Sequence, residues 1–285
     1  MADQQLADDA PAALIRFAAA ATPRRRLFCL PFAGGGPSTY RLWPKSLPSD
    51  VEVVVVVLPG RDPRTRAASG ASPPGSMAPI VSAALVAIEE LQATDPLPFA
   101  IFGHSMGALV AYELTVELER AASGSTAAGG RARAPAHLFV SGRRSPDEVH
   151  EGELIHDLPD DAFLDSMQRL YGGVPEAVRQ EPELLALFLP GLRADVQVFE
   201  TYEPLTDRLV QCAVRVYGGT DDRRPKPAAL PGWQRLVGRD ISVRTFPGDH
   251  FYLHDERAEL LADIAAHWAA AQSDVAPAAE ASEPS

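Results

Sequence analysis

Residues 51–60 read VEVVVVVLPG, with valine at six of the first seven positions. Successive side chains of a strand point to opposite faces, so a strand open to water on one side alternates apolar and polar residues. This one does not alternate. β-Branched residues on both faces demand cover on both, as in a central strand of a parallel sheet layered by helices. Five shorter apolar runs share the character: RLFCLPF (26–32), FAIFG (99–103), AHLFVSG (136–142), VRVYGG (214–219) and ISVRTFPG (241–248). Each ends in or beside Gly or Pro, residues that stop a strand.

Between these runs lie segments of helical pattern at 77–91, 106–121 and 256–271. In the last, Leu260, Leu261, Ile264, Ala265 and Trp268 recur at the spacing of one helix face. The alternation predicts an α/β architecture, a doubly wound and mostly parallel sheet with ligand sites beyond the carboxyl ends of its strands. Residues 145–210 interrupt it with helical runs alone, which predicts a helical lid inserted over that edge. Asp160 is placed to cap a first lid helix, with Gly172 and Gly173 ending it. Pro182 is placed to open another, with Pro190 at its end or at a kink. Residues 1–25 are expected to form a flexible leader, 26–272 the folded domain, and 273–285 a disordered tail. The Ala/Gly/Ser-rich stretch at 121–136 is expected to be a loop.

Charge and composition narrow the function classes. The net charge of −12 opposes nucleic-acid binding, which wants a basic stripe. No run reaches about 18 consecutive apolar residues, which opposes a membrane-spanning helix. The first 26 residues place acidic side chains before basic ones, the reverse of a secretory signal, so a cytoplasmic location is expected. Cys29 and Cys212, each in or beside an apolar run, read as buried thiols of a reducing compartment.

The chemistry centres on Gly103-His104-Ser105-Met106-Gly107. This G-x-S-x-G directly follows a predicted strand and directly precedes a predicted helix, the context that lifts a nucleophilic serine onto a strained turn. Chain order in such folds is Ser, then Asp or Glu, then His. His250, in FPGDHFYL after the last predicted strand, is the expected base. His104 is expected to point away from the nucleophile; His137 heads an apolar strand, His150 and His156 fall in the expected lid, His254 is placed to cap or to pair with a neighbouring carboxylate, and His267 reads as a satisfied surface or core histidine. Asp221 and Asp222 follow VYGG at the end of the preceding strand. Asp222 is preferred, because the Gly-Gly-Thr-Asp before it can complete the turn and aim it at the imidazole. The backbone N–H of Met106 is expected to be one oxyanion donor. Ala33, in the FAGGG loop after the first strand, is expected to supply the second, with Phe32 the neighbouring possibility. A phosphate loop is the rival for that glycine run, but no Lys-Ser/Thr pair stands at the right distance. The four parts together predict acyl transfer through an acyl-serine.

LFCLPFAGGG with Tyr40 and Trp43, LPGR at 58–61, FGHSMGALVAYEL, and LPGLRADVQVFETY at 189–202 together resemble the type II thioesterases. These are α/β-hydrolases that accompany polyketide and nonribosomal peptide synthases. The resemblance runs from about residue 26 to 271. It implies hydrolysis of stalled or wrong acyl groups from the phosphopantetheine thiol of acyl or peptidyl carrier domains, with small acyl groups as cargo. It implies no metal or cofactor, no nucleic-acid partner and no membrane. Arg61, Arg143 and Arg144 are candidates for contacting an acidic carrier protein or phosphate. A general carboxylesterase or lipase, and a non-catalytic hydrolase-fold subunit, are the alternatives.

Overall fold

The computed structural model describes residues 11–17, 22–61, 72–124, 134–148, 152–171, 174, 176–205 and 207–273. Within them the valine run is β3 (Val51–Val57), third from one edge of a seven-stranded sheet only in sequence and second in space. The order is β1 (Ala13–Phe17), β3, β2 (Arg25–Leu30), β4 (Phe99–His104), β5 (His137–Ser141), β6 (Ala213–Gly219) and β7 (Ser242–Phe246). All neighbours are parallel except β1 against β3. The six expected strands are present.

Helices cover both faces, as the valines require. Val54 and Val56, with Phe28 and Leu30 of β2, pack into one core with α1 (Met77–Thr94) and α2 (Met106–Gly124). Val53 and Val55, with Leu27 and Cys29, pack into the other, beneath Tyr40, Trp43 and the Leu260, Leu261, Ile264 and Trp268 face of the last helix. Each valine so covered contributes about 1.5–3 kcal/mol of transfer free energy. Helix α1 alone among the described residues is long and apolar enough to cross a membrane. Its Met77, Ile80, Val81, Ala84 and Ile88 stripe is instead buried in the first core.

The one charged residue in the valine run explains the first departure from expectation. Glu52 is buried and accepts from Arg26 of β2 (2.7 Å) and Arg16 of β1 (2.5 Å). Residues 13–17 fall in the stretch expected to be leader, yet they add an antiparallel edge strand, with Ile15 opposite Val55. The physical reason is the open ladder of β3, whose unpaired N–H and C=O groups a short segment can satisfy, reinforced by the buried Glu52 charge. Cys29 and Cys212 are buried and free.

Among the described residues, the insertion between β5 and β6 holds three helices, α3 (Asp160–Tyr171), α4 (Glu176–Arg179) and α5 (Pro182–Glu200). Pro182 opens α5 as expected, but Pro190 lies inside it without ending it. Leu189, Leu192, Val196 and Phe199 are buried on either side, and that packing carries the helix past the missing N–H. Asp160 does not cap α3 from outside. It is the first helical residue, and its carboxylate pairs with Arg193 of α5 at 2.7 Å. Gly172, Gly173, His150 and most of the 121–136 stretch and of the proposed tail lie outside the described residues. Two further helices, α6 (Tyr252–Asp255) and α7 (Arg257–Ser273), follow β7.

Candidate active site

Strand β4 hands over to α2 at Ser105, the sole non-glycine residue with positive φ among the described residues, at 55°. That left-handed geometry costs a residue with a Cβ about 1–3 kcal/mol, and the surroundings must hold it there. They do. The Ser105 N–H donates to the Ser141 carbonyl of β5 (2.8 Å), and the Ala108 N–H donates to the Ser105 carbonyl (3.0 Å). The flanking glycines leave no room for side chains. A Cβ on Gly103 would overlap the Gly107 carbonyl, and one on Gly107 would overlap the Leu30 carbonyl of β2. The turn is tight because only glycine permits it.

At the ends of β6 and β7 the Asp–His pair is made. His250 Nδ1 lies 2.8 Å from Asp222 Oδ2, and the Asp222 side chain is 2% exposed. The carboxylate accepts, so Nδ1 carries the proton and Nε2 is left basic. Asp222 Oδ1 accepts the Arg224 N–H (2.8 Å), which fixes the carboxylate in its turn. Asp221 is exposed and meets only the Thr220 hydroxyl among these contacts, at 3.3 Å. The two loops are clamped by Thr220 N–H to Phe246 carbonyl (2.8 Å) and Asp221 N–H to Gly248 carbonyl (2.9 Å). Asp249 accepts the Phe251 N–H as an ordinary loop carboxylate.

His104 is nearer this pair than its position in the motif suggests. Its ring centroid lies 5.0 Å from that of His250, and its Nδ1 is 2.8 Å from Ser141 Oγ, which is in turn 2.6 Å from the Tyr252 hydroxyl. Burial drives its pKa far below the usual imidazole value, so it sits beside His250 as a neutral ring. His156 holds Glu200 at 2.6 Å, and His137 stacks on Phe139.

The glycine loop after β2 has four consecutive amides to allot. Gly34 N–H donates to Asp195 Oδ2 (2.8 Å) and Gly35 N–H to the Phe32 carbonyl (2.7 Å). Among the described residues no protein acceptor takes the Ala33 N–H, and Met106, first residue of α2, has no helical carbonyl behind it. Asp195 was not singled out in the sequence. It is buried in α5 and also accepts from Arg61 (2.7 Å). Arg61 further donates to the Pro59 and Pro74 carbonyls, so it braces the loop from below instead of facing a partner. The signal lay in LRADVQVFETY, where Asp195 interrupts an otherwise apolar helix face.

Ser105 and His250 line one cavity of about 440 Å³, together with Ala33 and the glycine loop. No hydrogen bond joins Ser105 Oγ to His250 among the described residues; such bonds often tighten only with substrate in place. Met167, Tyr171, Val174, Phe188 and Phe199 of the inserted segment make the apolar wall. Ser105, His250 with its Asp222 partner, and the Ala33 and Met106 amides thus converge beneath a helical cover.

A family model described as a thioesterase domain matches residues 25–268. The gramicidin S biosynthesis protein GrsT of Aneurinibacillus migulanus is 36% identical over 237 residues, covering 83% of this chain and 86% of GrsT. Thioesterase PikA5 of Streptomyces venezuelae is 35% identical over 276 residues, covering 94% of this chain and 89% of PikA5. The solved structure of BorB, a type II thioesterase from the borrelidin biosynthetic cluster, matches with a TM-score of 0.75 at 28% identity, covering 90% of this chain and 97% of BorB. The fold is that of the α/β-hydrolases, and the chain belongs to the thioesterase family, among its type II members.

Proposed function

We propose that the protein is a serine thioesterase that strips aberrant or stalled acyl groups from the phosphopantetheine thiol of carrier-protein domains in polyketide or nonribosomal peptide biosynthesis. The observation that carries this reading is the His250–Asp222 pair at 2.8 Å, opening on the same cavity as Ser105. His250 Nε2 takes the Ser105 proton as Oγ attacks the thioester carbonyl. Negative charge then develops on the carbonyl oxygen, where the Met106 and Ala33 amides (Phe32 beside them) receive it, each worth ~3 kcal/mol in the transition state. The carbon–sulfur bond breaks, and the imidazolium returns its proton to the departing thiol. Water, deprotonated by the same imidazole, releases the acid and restores Ser105. Asp222 keeps the imidazole in the productive tautomer and steadies its charged form throughout.

A long pantetheine arm must reach a buried serine, and a cavity roofed by α3 and α5 suits it. Those helices act as a lid that excludes water until the arm is seated. The relatives' names place GrsT in gramicidin S biosynthesis and BorB in a biosynthetic cluster, which supports the same setting here. Two free buried thiols suit a cytoplasmic location. The test is release of short acyl groups from a loaded carrier protein, with Ser105→Ala alongside. Wild type is expected to release them and the variant to fall by at least about 10³-fold. Equal rates for the two proteins contradict the serine mechanism. Free oxygen esters turning over faster than carrier-bound thioesters contradict the editing role.

A further inference from the structure

A second cavity, of about 420 Å³, borders the same glycine loop as the chamber that holds Ser105, but Ser105 does not line it. Pro31, Val57, Leu58 and Leu187 give it apolar walls. Ile15 of β1 and Leu187 of α5 stand at its rim, 39% and 47% exposed. Its charged residues, Arg61 and Asp195, are spent on each other at 2.7 Å. Arg61 also donates to the Pro59 and Pro74 carbonyls, and Asp195 accepts the Gly34 N–H. Such a space suits an alkyl chain and offers an anion nothing that is not already taken.

The partition between the two cavities is thin. Residues 34–36 line both and carry no side chains, so among the described residues the side chains common to both walls are Ser38, Phe188 and Leu192. Phe188 makes the seal. Gly34 has φ 72°, and a Cβ there would stand 2.7 Å from Phe188 Cζ and 3.0 Å from Leu192 Cδ1. The ring therefore lies directly against the loop backbone. A Cβ on Gly36, by contrast, would meet nothing within 4 Å, so the loop itself closes nothing at that point. Phe188 is only half-buried, whereas its neighbours Leu189 and Leu192 are buried in the core. Its ring is spent on the cavity walls.

We propose that Phe188 sets the length of acyl chain that the site accepts, by closing the Ser105 chamber off from an apolar cavity that a longer chain would enter. The inference deepens the thioesterase reading of Ser105 and rests on it. An acyl group whose carbonyl oxygen sits at the Ala33 amide starts its alkyl chain beside residues 34–36. A short chain ends in front of the Phe188 ring, and a long one needs the ring's place. The bonds made and broken are the same at every length: the Ser105 Oγ–carbon bond forms, the carbon–sulfur bond breaks, and water releases the acid and the thiol. Phe188 acts on the chain alone and is a specificity residue.

The experiment compares propionyl and decanoyl groups, each as an N-acetylcysteamine thioester. The reading is the decanoyl-to-propionyl ratio of kcat/KM for wild type, Phe188→Ala, Phe188→Trp and the double variant Phe188→Ala with Leu187→Asp. The ratio is expected to rise about tenfold or more in Phe188→Ala, as methylenes gain a place to be buried, and to fall in Phe188→Trp. The double variant is expected to return towards the wild-type ratio, because an exposed rim position then sets a carboxylate on the path of the alkyl chain. A ratio that stays fixed in both single variants, with the two rates moving together, makes Phe188 a packing residue and overturns the proposal. A gain that survives Leu187→Asp sends the chain elsewhere and overturns it too. Should Phe188→Ala not fold, Phe188→Trp decides, and a ratio unmoved or raised there overturns the proposal. Wild type that cleaves the propionyl thioester but fails these tests leaves the thioesterase reading standing. Wild type that cleaves neither thioester removes both.

Discussion

Ser105 at φ 55° and Asp222 at 2% side-chain exposure are the two residues on which the site turns. The serine was legible because glycines on both sides, a strand before and a helix after admit one geometry. The aspartate was half legible. Two adjacent carboxylates followed the strand, and only the turn that binds Asp221 N–H to Gly248 and buries Asp222 against His250 separates them. Asp222→Asn is therefore expected to lower kcat by about 10³–10⁴-fold through the wrong imidazole tautomer. Asp221→Asn is expected to stay within about twofold of wild type, being exposed and outside the pair. Steady-state kinetics on a simple acyl thioester separates the two, and equal losses contradict the assignment. The closeness of His104 to His250 was not legible, because it arises from the approach of separate strands and loops, not from the motif.

At the scale of elements, what the site needs is close approach. Helix α2 meets β2 through Gly107, where a Cβ would overlap the Leu30 carbonyl. Gly107→Ala is expected to destabilise the protein by about 1–3 kcal/mol, read as a lowered urea midpoint, since backbone on both sides must move apart. An unchanged midpoint contradicts that packing. Helix α5 meets the glycine loop through Asp195, which joins Gly34 N–H and Arg61. Asp195→Ala strands Arg61 in a site where it is 7% exposed, and a loss of about 3 kcal/mol or more is expected in the same unfolding assay. Alternating strands and helices were legible from valine patterning and helical periodicity. Strand β1 was not, because ALIRF is five residues with no turn signal of its own. It is a strand by virtue of the open β3 edge and Glu52, neither of which is local to it.

For the whole molecule, buried neutral imidazoles contribute to the response to acid. His137 in the unfolded chain takes a proton near 6.5, whereas burial in the fold holds it unprotonated down to about 4. Between those values the unfolded state binds more protons, so stability present above 6.5 is lost as the pH falls towards 4. His104 is shifted in the same direction. The His137 contribution is about 3 kcal/mol at most. His137→Phe, stacking on Phe139 as the imidazole does, is expected to flatten the fall in urea midpoint between pH 6.5 and 4, and a curve parallel to wild type contradicts it.

In the proposed mechanism a carrier-bound acyl group passes onto Ser105. Rapid acid quench of wild type turning over an acyl-loaded carrier protein, followed by peptide mass spectrometry, tests it directly. The acyl mass is expected on the peptide containing Ser105 and is expected to be absent in Ser105→Ala. Acyl label on any other residue, or hydrolysis that persists in Ser105→Ala at the wild-type rate, contradicts it.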